Sequence, residues 1–198
     1  MMPVWNRDMT ARIRHHLQTL VRQREGVMID QLKATDLPQP KIDVTFFNPM
    51  SDRSIYLLGR ILIDARSFYL SSDSEILCTI DHEIAHYVQD KRNRHIHGLQ
   101  FIRHRKAFNT FTEGFATFAA RITTGNIGSS TELVMIGALT KMNYIRRSDD
   151  YVVGYSRFKA IAKANSADFA LHLGLEGSLS EWEAEAEASF RKLGVEVR

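Results

Sequence analysis

Two histidines four residues apart, in the run His82-Glu83-Ile84-Ala85-His86, constrain this chain more than any other feature. On a helix, positions i and i+4 lie one above the other. If the run is helical, both imidazoles point the same way, with Glu83 beside them. The flanking residues favour a helix from Ser74 to Lys91: Ser72-x-x-Glu75 fits a capping box, and Ile76, Ile80, Ile84 and Val88 make one apolar stripe. The histidines fall on a neighbouring face, which is therefore not committed to the core.

The rest of the chain must build a fold around that helix. With 198 residues, the chain has length for one domain, or one domain with a smaller lobe. Ile13, Leu17, Leu20, Val21 and Val27 recur at helical spacing, so Thr10 to Lys33 reads as one or two amphipathic helices that stop before Asp36-Leu37-Pro38-Gln39-Pro40. Lys41–Phe47, Ser54–Leu58 and Arg60–Ile63 read as strands, with a turn at Asn48-Pro49-Met50-Ser51-Asp52 and a bend or bulge at Gly59. Beyond the histidine helix, everything is helical in pattern: Thr110–Arg121 with a Thr110-x-x-Glu113 capping box, Thr131–Arg147, Tyr151–Ala164, a short piece at Ala167–Leu173, and Glu181–Leu193 capped by Ser180-x-x-Glu183. The order predicts an α+β fold with a small mixed sheet packed on the central helix and a helical C-terminal subdomain. The expected division is a helical segment over residues 1–40 and a main domain over 41–198, together one compact unit.

Composition narrows the classes of function. A net charge of +3, from 26 basic and 23 acidic residues, is a weak imbalance, and the basic stretch from Lys91 to Lys106 lacks any nucleic-acid-binding motif, so nucleic acid is not the expected partner. The lone Cys78 can form no internal disulfide and no thiolate cluster, and reads as a buried small hydrophobe. The N-terminal residues lack the unbroken apolar stretch of a cleavable signal, and no segment is long and charge-free enough to span a membrane; cytoplasmic placement is the expectation. Gly125-x-x-Gly128 has no following Lys-Ser/Thr and is not a phosphate loop, and Phe111, Phe115, Phe118, Met135 and Met142 read as core.

Neutral imidazole suits Zn2+, and a catalytic zinc site needs a third protein ligand plus an open position. Glu113, 27 residues beyond His86, is the strongest candidate for that third ligand, with His95, His97 and His104 as competitors. Glu83 would act as a general base beside the metal, taking a proton from water and passing it to a leaving amine. Tyr151 or Tyr155 could stabilise a developing oxyanion. Asp81, Asp90 and Asn109 could orient the histidine rings.

The two segments His82-Glu83-Ile84-Ala85-His86 and Phe111-Thr112-Glu113-Gly114-Phe115-Ala116-Thr117-Phe118-Ala119 resemble a zincin metallopeptidase of the gluzincin branch. The resemblance implies a peptidase-MA-like domain in which His82, His86 and Glu113 hold zinc and Glu83 is the base. Tyr151-Val152-Val153-Gly154 matches a motif of relatives with aminopeptidase activity, which makes Tyr151 the preferred oxyanion donor and Tyr155 the second choice. It also implies an edge strand that binds substrate in extended form, assigned here to Arg60-Ile61-Leu62-Ile63-Asp64. The similarity spans roughly Lys41 to Leu193. The chain has no Gly-x-Met-x-Asn motif to anchor a substrate amino terminus, and no metzincin third histidine after His86. The expected activity is therefore zinc-dependent endopeptidase cleavage of a peptide or protein substrate, with unknown oligomeric state. The alternative is a catalytically inactive zincin-like protein that binds peptides or proteins.

Overall fold

Leu17, Leu20, Val21 and Met28 are buried along one side of α1 (Arg7–Gln31), so the amphipathic pattern forms a single long helix. Met28, not the 39 % exposed Val27, completes its core stripe. The computed structural model describes residues 7–45, 54–57, 59–65, 73–96, 104–123 and 148–195. The helix closes before the prolines: Ala34 N donates to Ile29 O at 2.9 Å around Lys33, which takes a left-handed φ of 52°.

Three short strands follow, β1 (Lys41–Thr45), β2 (Ser54–Leu57) and β3 (Arg60–Asp64). Gly59, at φ 81°, lies in the turn between β2 and β3, where a side chain would be strained. β3 pairs in parallel with β1 and antiparallel with β2, so among the described residues the sheet order is β1-β3-β2. The sheet is mixed, as expected, but β3 is its middle strand rather than the edge. Ile61 and Ile63, two residues apart, bury one face of β3, but its central place comes from pairing, with β1 on one side and β2 on the other. Among the described residues the edges are β1 and β2.

The histidine helix, α2, spans Asp73–Arg92, with Asp73 and Glu75 in its first turn and Lys91 and Arg92 in its last, both matched to the helix dipole. Its stripe of Ile76, Ile80, Ile84 and Val88 is buried to 3 % exposure or less. Cys78 is half-buried rather than fully enclosed. A short 3-10 turn at Arg94–Ile96 follows.

The helical part comprises α3 (Arg105–Thr123), α4 (Ser148–Ala164), α5 (Ala167–Glu176) and α6 (Leu179–Lys192). Phe158 of α4 is fully buried among Phe111, Phe115, Phe118 and Trp182, with ring centroids 5.6–5.8 Å away. Two capping expectations need correction. α3 begins five residues before Thr110, whose hydroxyl is instead buried and bonded to Asp150 and to the Lys106 carbonyl. In α6 the capping box is Ser178 with Glu181, not Ser180 with Glu183: Ser178 Oγ accepts from Glu181 N, and Glu181 accepts from Ser178 N at 2.7 Å. Both serines fit the pattern; Leu179 enters the helix and moves the cap two residues earlier. The turn at 48–52, the cap at Ser72, the stop at 124–126, and the helix expected over 131–147 lie outside the described residues.

The chain divides into two compact units, Met1–Tyr87 and Val88–Arg198, the division falling within α2. In the first, Arg24 of α1 donates from Nε and Nη2 to the two oxygens of Asp81, and His16 pairs with Asp73 at 2.9 Å. Tyr87 donates to the carbonyl of Pro38 and meets Tyr56 of β2 edge-on at 6.0 Å. In the second, Gln89 and Asn93 both donate to Gly174 O at 3.0 Å, and Asn93 also donates to Gly177 O at 2.9 Å, which satisfies carbonyls at the C-terminal end of α5. No helix among the described residues is long and apolar enough to cross a membrane.

Candidate metal centre

The local geometry of α2 does what the four-residue spacing requires. The His82 and His86 Nε2 atoms stand 3.1 Å apart, and their rings meet at 88° with centroids 4.6 Å apart. Two ligands bound tetrahedrally to zinc at about 2.05 Å each are separated by about 3.3 Å. At 3.1 Å the imidazole pair is close to that spacing.

Glu113, on α3, supplies the third group. His82, His86 and Glu113 each offer one ligand atom, and these atoms lie within 4.8 Å of one another. Among the described residues no other set of three or more His, Cys, Asp or Glu side chains converges in this way. Of the competing histidines, His95 is exposed on the 3-10 turn, His104 is exposed just before α3, and His97 lies outside the described residues. His82 is 9 % exposed, while His86 and Glu113 are half-buried, which leaves the cluster reachable. Two imidazoles and one carboxylate are a donor set that fits zinc, and three protein ligands leave a tetrahedral position open.

The surrounding residues fall out as follows. Glu83 is buried at 7 % exposure, directly after the first histidine on the same helix. Tyr151, in the first turn of α4, is half-buried. Tyr155, one turn on, is 7 % exposed, its ring covered by the Arg121 guanidinium at 4.7 Å and approached by the Lys159 ammonium at 5.6 Å. Of the residues expected to orient the histidines, Asp81 is held by Arg24, Asp90 lies 3.3 Å from Lys91, and Asn109 is half-buried on α3. Arg24 was not legible in the sequence as Asp81's partner: 57 residues separate them, and no local pattern marks the pair.

No family model matches the chain, and neither a curated protein nor a solved structure matches it. The metal cluster therefore carries the assignment. In chain order, the small mixed sheet, α2 with its two histidines, α3 with Glu113 and the helices after it match a zincin-like fold. The His82-Glu83-x-x-His86 pair with Glu113 is a compact site whose ligand set and order match the catalytic centre of a gluzincin-type zinc metallopeptidase.

Proposed function

We propose that this protein is a zinc endopeptidase in which Glu83 is the general base and Tyr151 the oxyanion donor. The convergence of His82, His86 and Glu113 on one point carries the reading. Zinc held by those three residues supplies Lewis acidity, polarising a bound carbonyl and making nearby water easier to deprotonate.

The chain's own groups do the rest. Glu83 accepts a proton from the attacking water and returns it to the departing amine nitrogen, so neither step releases a strong acid or base into solution. Its position directly after His82 on the same helix, buried at 7 % exposure, supports this role. Tyr151 donates its phenolic hydrogen to the oxygen that gains charge as the carbonyl carbon becomes tetrahedral. Its half-exposed position suits a group that meets substrate. Tyr155, enclosed by Arg121 and Lys159, is the second choice.

The substrate backbone is assigned to β2, since β3 is paired on both edges and has no free ladder. Tyr56 of β2 packs on Tyr87, the residue after His86, which supports β2 as the strand beside the metal helix. The missing exopeptidase motif supports internal cleavage of a peptide or protein. The segment 1–40 is proposed to be a working part of the fold rather than a removable prosegment: α1 buries Leu17 and Met28 and grips α2 through Arg24 and His16. A cytoplasmic location is part of the same proposal.

The test begins with metal content of protein purified without chelators. About one zinc per chain is expected, and loss of it in Glu113→Ala. A peptide library should then be cleaved by the wild type and not by Glu83→Gln. A wild type that binds no zinc, even when zinc is added, refutes the proposal. Zinc binding without cleavage of any library member, with Glu83 intact, would favour a peptide-binding zincin-like protein.

A further inference from the structure

The α3 and α4 helices touch backbone to backbone at one place, next to both functional side chains they carry. A Cβ on Gly154 would stand 2.0 Å from the Thr110 carbonyl oxygen and 2.6 Å from Gly114 Cα. A Cβ on Gly114 would stand 2.4 Å from Gly154 Cα and its carbonyl carbon. These obstacles are main-chain atoms, which cannot rotate aside. Only glycine on both helices allows this approach, because the side chains at the contact set the separation of packed helices.

One turn away, the buried Thr110 hydroxyl donates to Asp150 Oδ1 at 2.8 Å, with the Lys106 carbonyl also within reach at 3.0 Å. Thr110 and Gly114 are four residues apart on α3, and Asp150 and Gly154 are four apart on α4. Each pair therefore lies on one face of its helix. The hydrogen bond fixes the helices along their axes, and the glycines fix how closely they approach.

Glu113 precedes Gly114, and Tyr151 follows Asp150. We infer that Gly114, Gly154 and the Thr110–Asp150 hydrogen bond are positioning residues for the metal centre, setting where Glu113 stands and how far Tyr151 lies from it. The inference rests on the metallopeptidase reading and deepens it. None of these four side chains is a ligand. They act through the carboxylate and the phenol beside them, as supporting residues around metal sites do.

The test uses the full chain and the metals alone. Zinc affinity is measured by competition with a chromophoric chelator, and the cobalt(II) form is followed by visible absorption, which reports coordination geometry. Gly154→Ala leaves every ligand and the Glu113 helix unaltered in sequence. It is expected to weaken zinc binding by about 10-fold or more and to change the cobalt spectrum. Thr110→Val, which removes the hydrogen bond without adding bulk, should shift both readouts the same way, and Thr110→Ser should restore them. Trp182→Phe loosens the same helical core away from this contact and should lower the melting temperature with zinc affinity unchanged.

Wild-type zinc affinity and an unchanged cobalt spectrum in Gly154→Ala and Thr110→Val would overturn the inference and leave the metal site standing. Equal weakening by Trp182→Phe would also overturn it, by showing that general loosening suffices. If Gly154→Ala does not fold, the Thr110→Val and Thr110→Ser pair decides. A wild type that binds neither metal removes the site and the inference together.

Discussion

Replacing Arg24 by methionine should destabilise the protein by about 3 kcal/mol, although Arg24 is 57 residues from its partner and belongs to no motif. The Asp81 side chain is 0 % exposed and that of Arg24 16 %. Nε donates to one carboxylate oxygen at 2.9 Å and Nη2 reaches the other, a two-point grip that raises the arginine's pKa, chiefly through this hydrogen bonding. Removing one member of a buried pair costs about 3–5 kcal/mol, because the remaining charge stays in a poor solvent. The residual exposure of Arg24 places this case at the lower end. For a chain of this length, about 3 kcal/mol corresponds to a fall in melting temperature of about 6–12 °C. Urea unfolding of metal-free protein measures the cost directly. The double variant Arg24→Met/Asp81→Leu should recover most of it, since no unpaired charge is left behind. A loss below about 1 kcal/mol in Arg24→Met, or strictly additive losses in the double variant, would refute the argument.

Glu83→Gln should keep about one zinc per chain and lose about 100-fold or more of any cleavage rate, checked by elemental analysis beside a peptide assay. Burial raises the Glu25 carboxyl above its ordinary value of 4.5, and its Oε1 is enclosed with no hydrogen-bond partner among the described residues. The folded state therefore holds the Glu25 proton more tightly than the unfolded state, and that favourable contribution is complete below the ordinary value and lost as pH rises through the folded one. Glu25→Gln should accordingly be more stable than wild type at neutral pH, with the advantage fading under acid; an advantage independent of pH in paired urea titrations would count against burial as the cause. Asn93→Ala removes donors to Gly174 O and Gly177 O and the acceptor for His95 N, and should cost about 2–4 kcal/mol by the same titration, because buried carbonyls lose partners. A cost under about 1 kcal/mol would mean that water replaces the amide without loss.

The parts of the site legible in the sequence were those that local geometry determines. His82, Glu83 and His86 lie within one and a half turns of one helix, and the apolar stripe of Ile76, Ile80, Ile84 and Val88 fixes which way that helix faces. Glu113 was legible because it follows on a second strongly patterned helix, although neither pattern nor spacing excluded His95 or His104. What failed were decisions between two equally good local choices. Thr110 with Glu113, and Ser180 with Glu183, both fit a capping box, but Thr110 is spent on Asp150 and Ser178 captures the cap of α6. The rank of β3 in the sheet was not readable from its own five residues, because strand order depends on which neighbours pair with it.

The other faces of α2 are committed to packing and hydrogen bonding within the fold. Ile76, Ile80, Ile84 and Val88 are committed to the core, and Asp81 is committed to Arg24. Tyr87 holds the Pro38 carbonyl and the Tyr56 ring, while Gln89, with Asn93 just past the helix end, holds the end of α5. Each of these side chains has a structural partner that accounts for its burial. The Nε2 atom of the buried His82 stands 3.1 Å from that of His86, and the Glu113 carboxylate converges on the same pair. A cation at the centre would take a lone pair from each of the three, and two imidazoles with one carboxylate are a donor set that fits zinc.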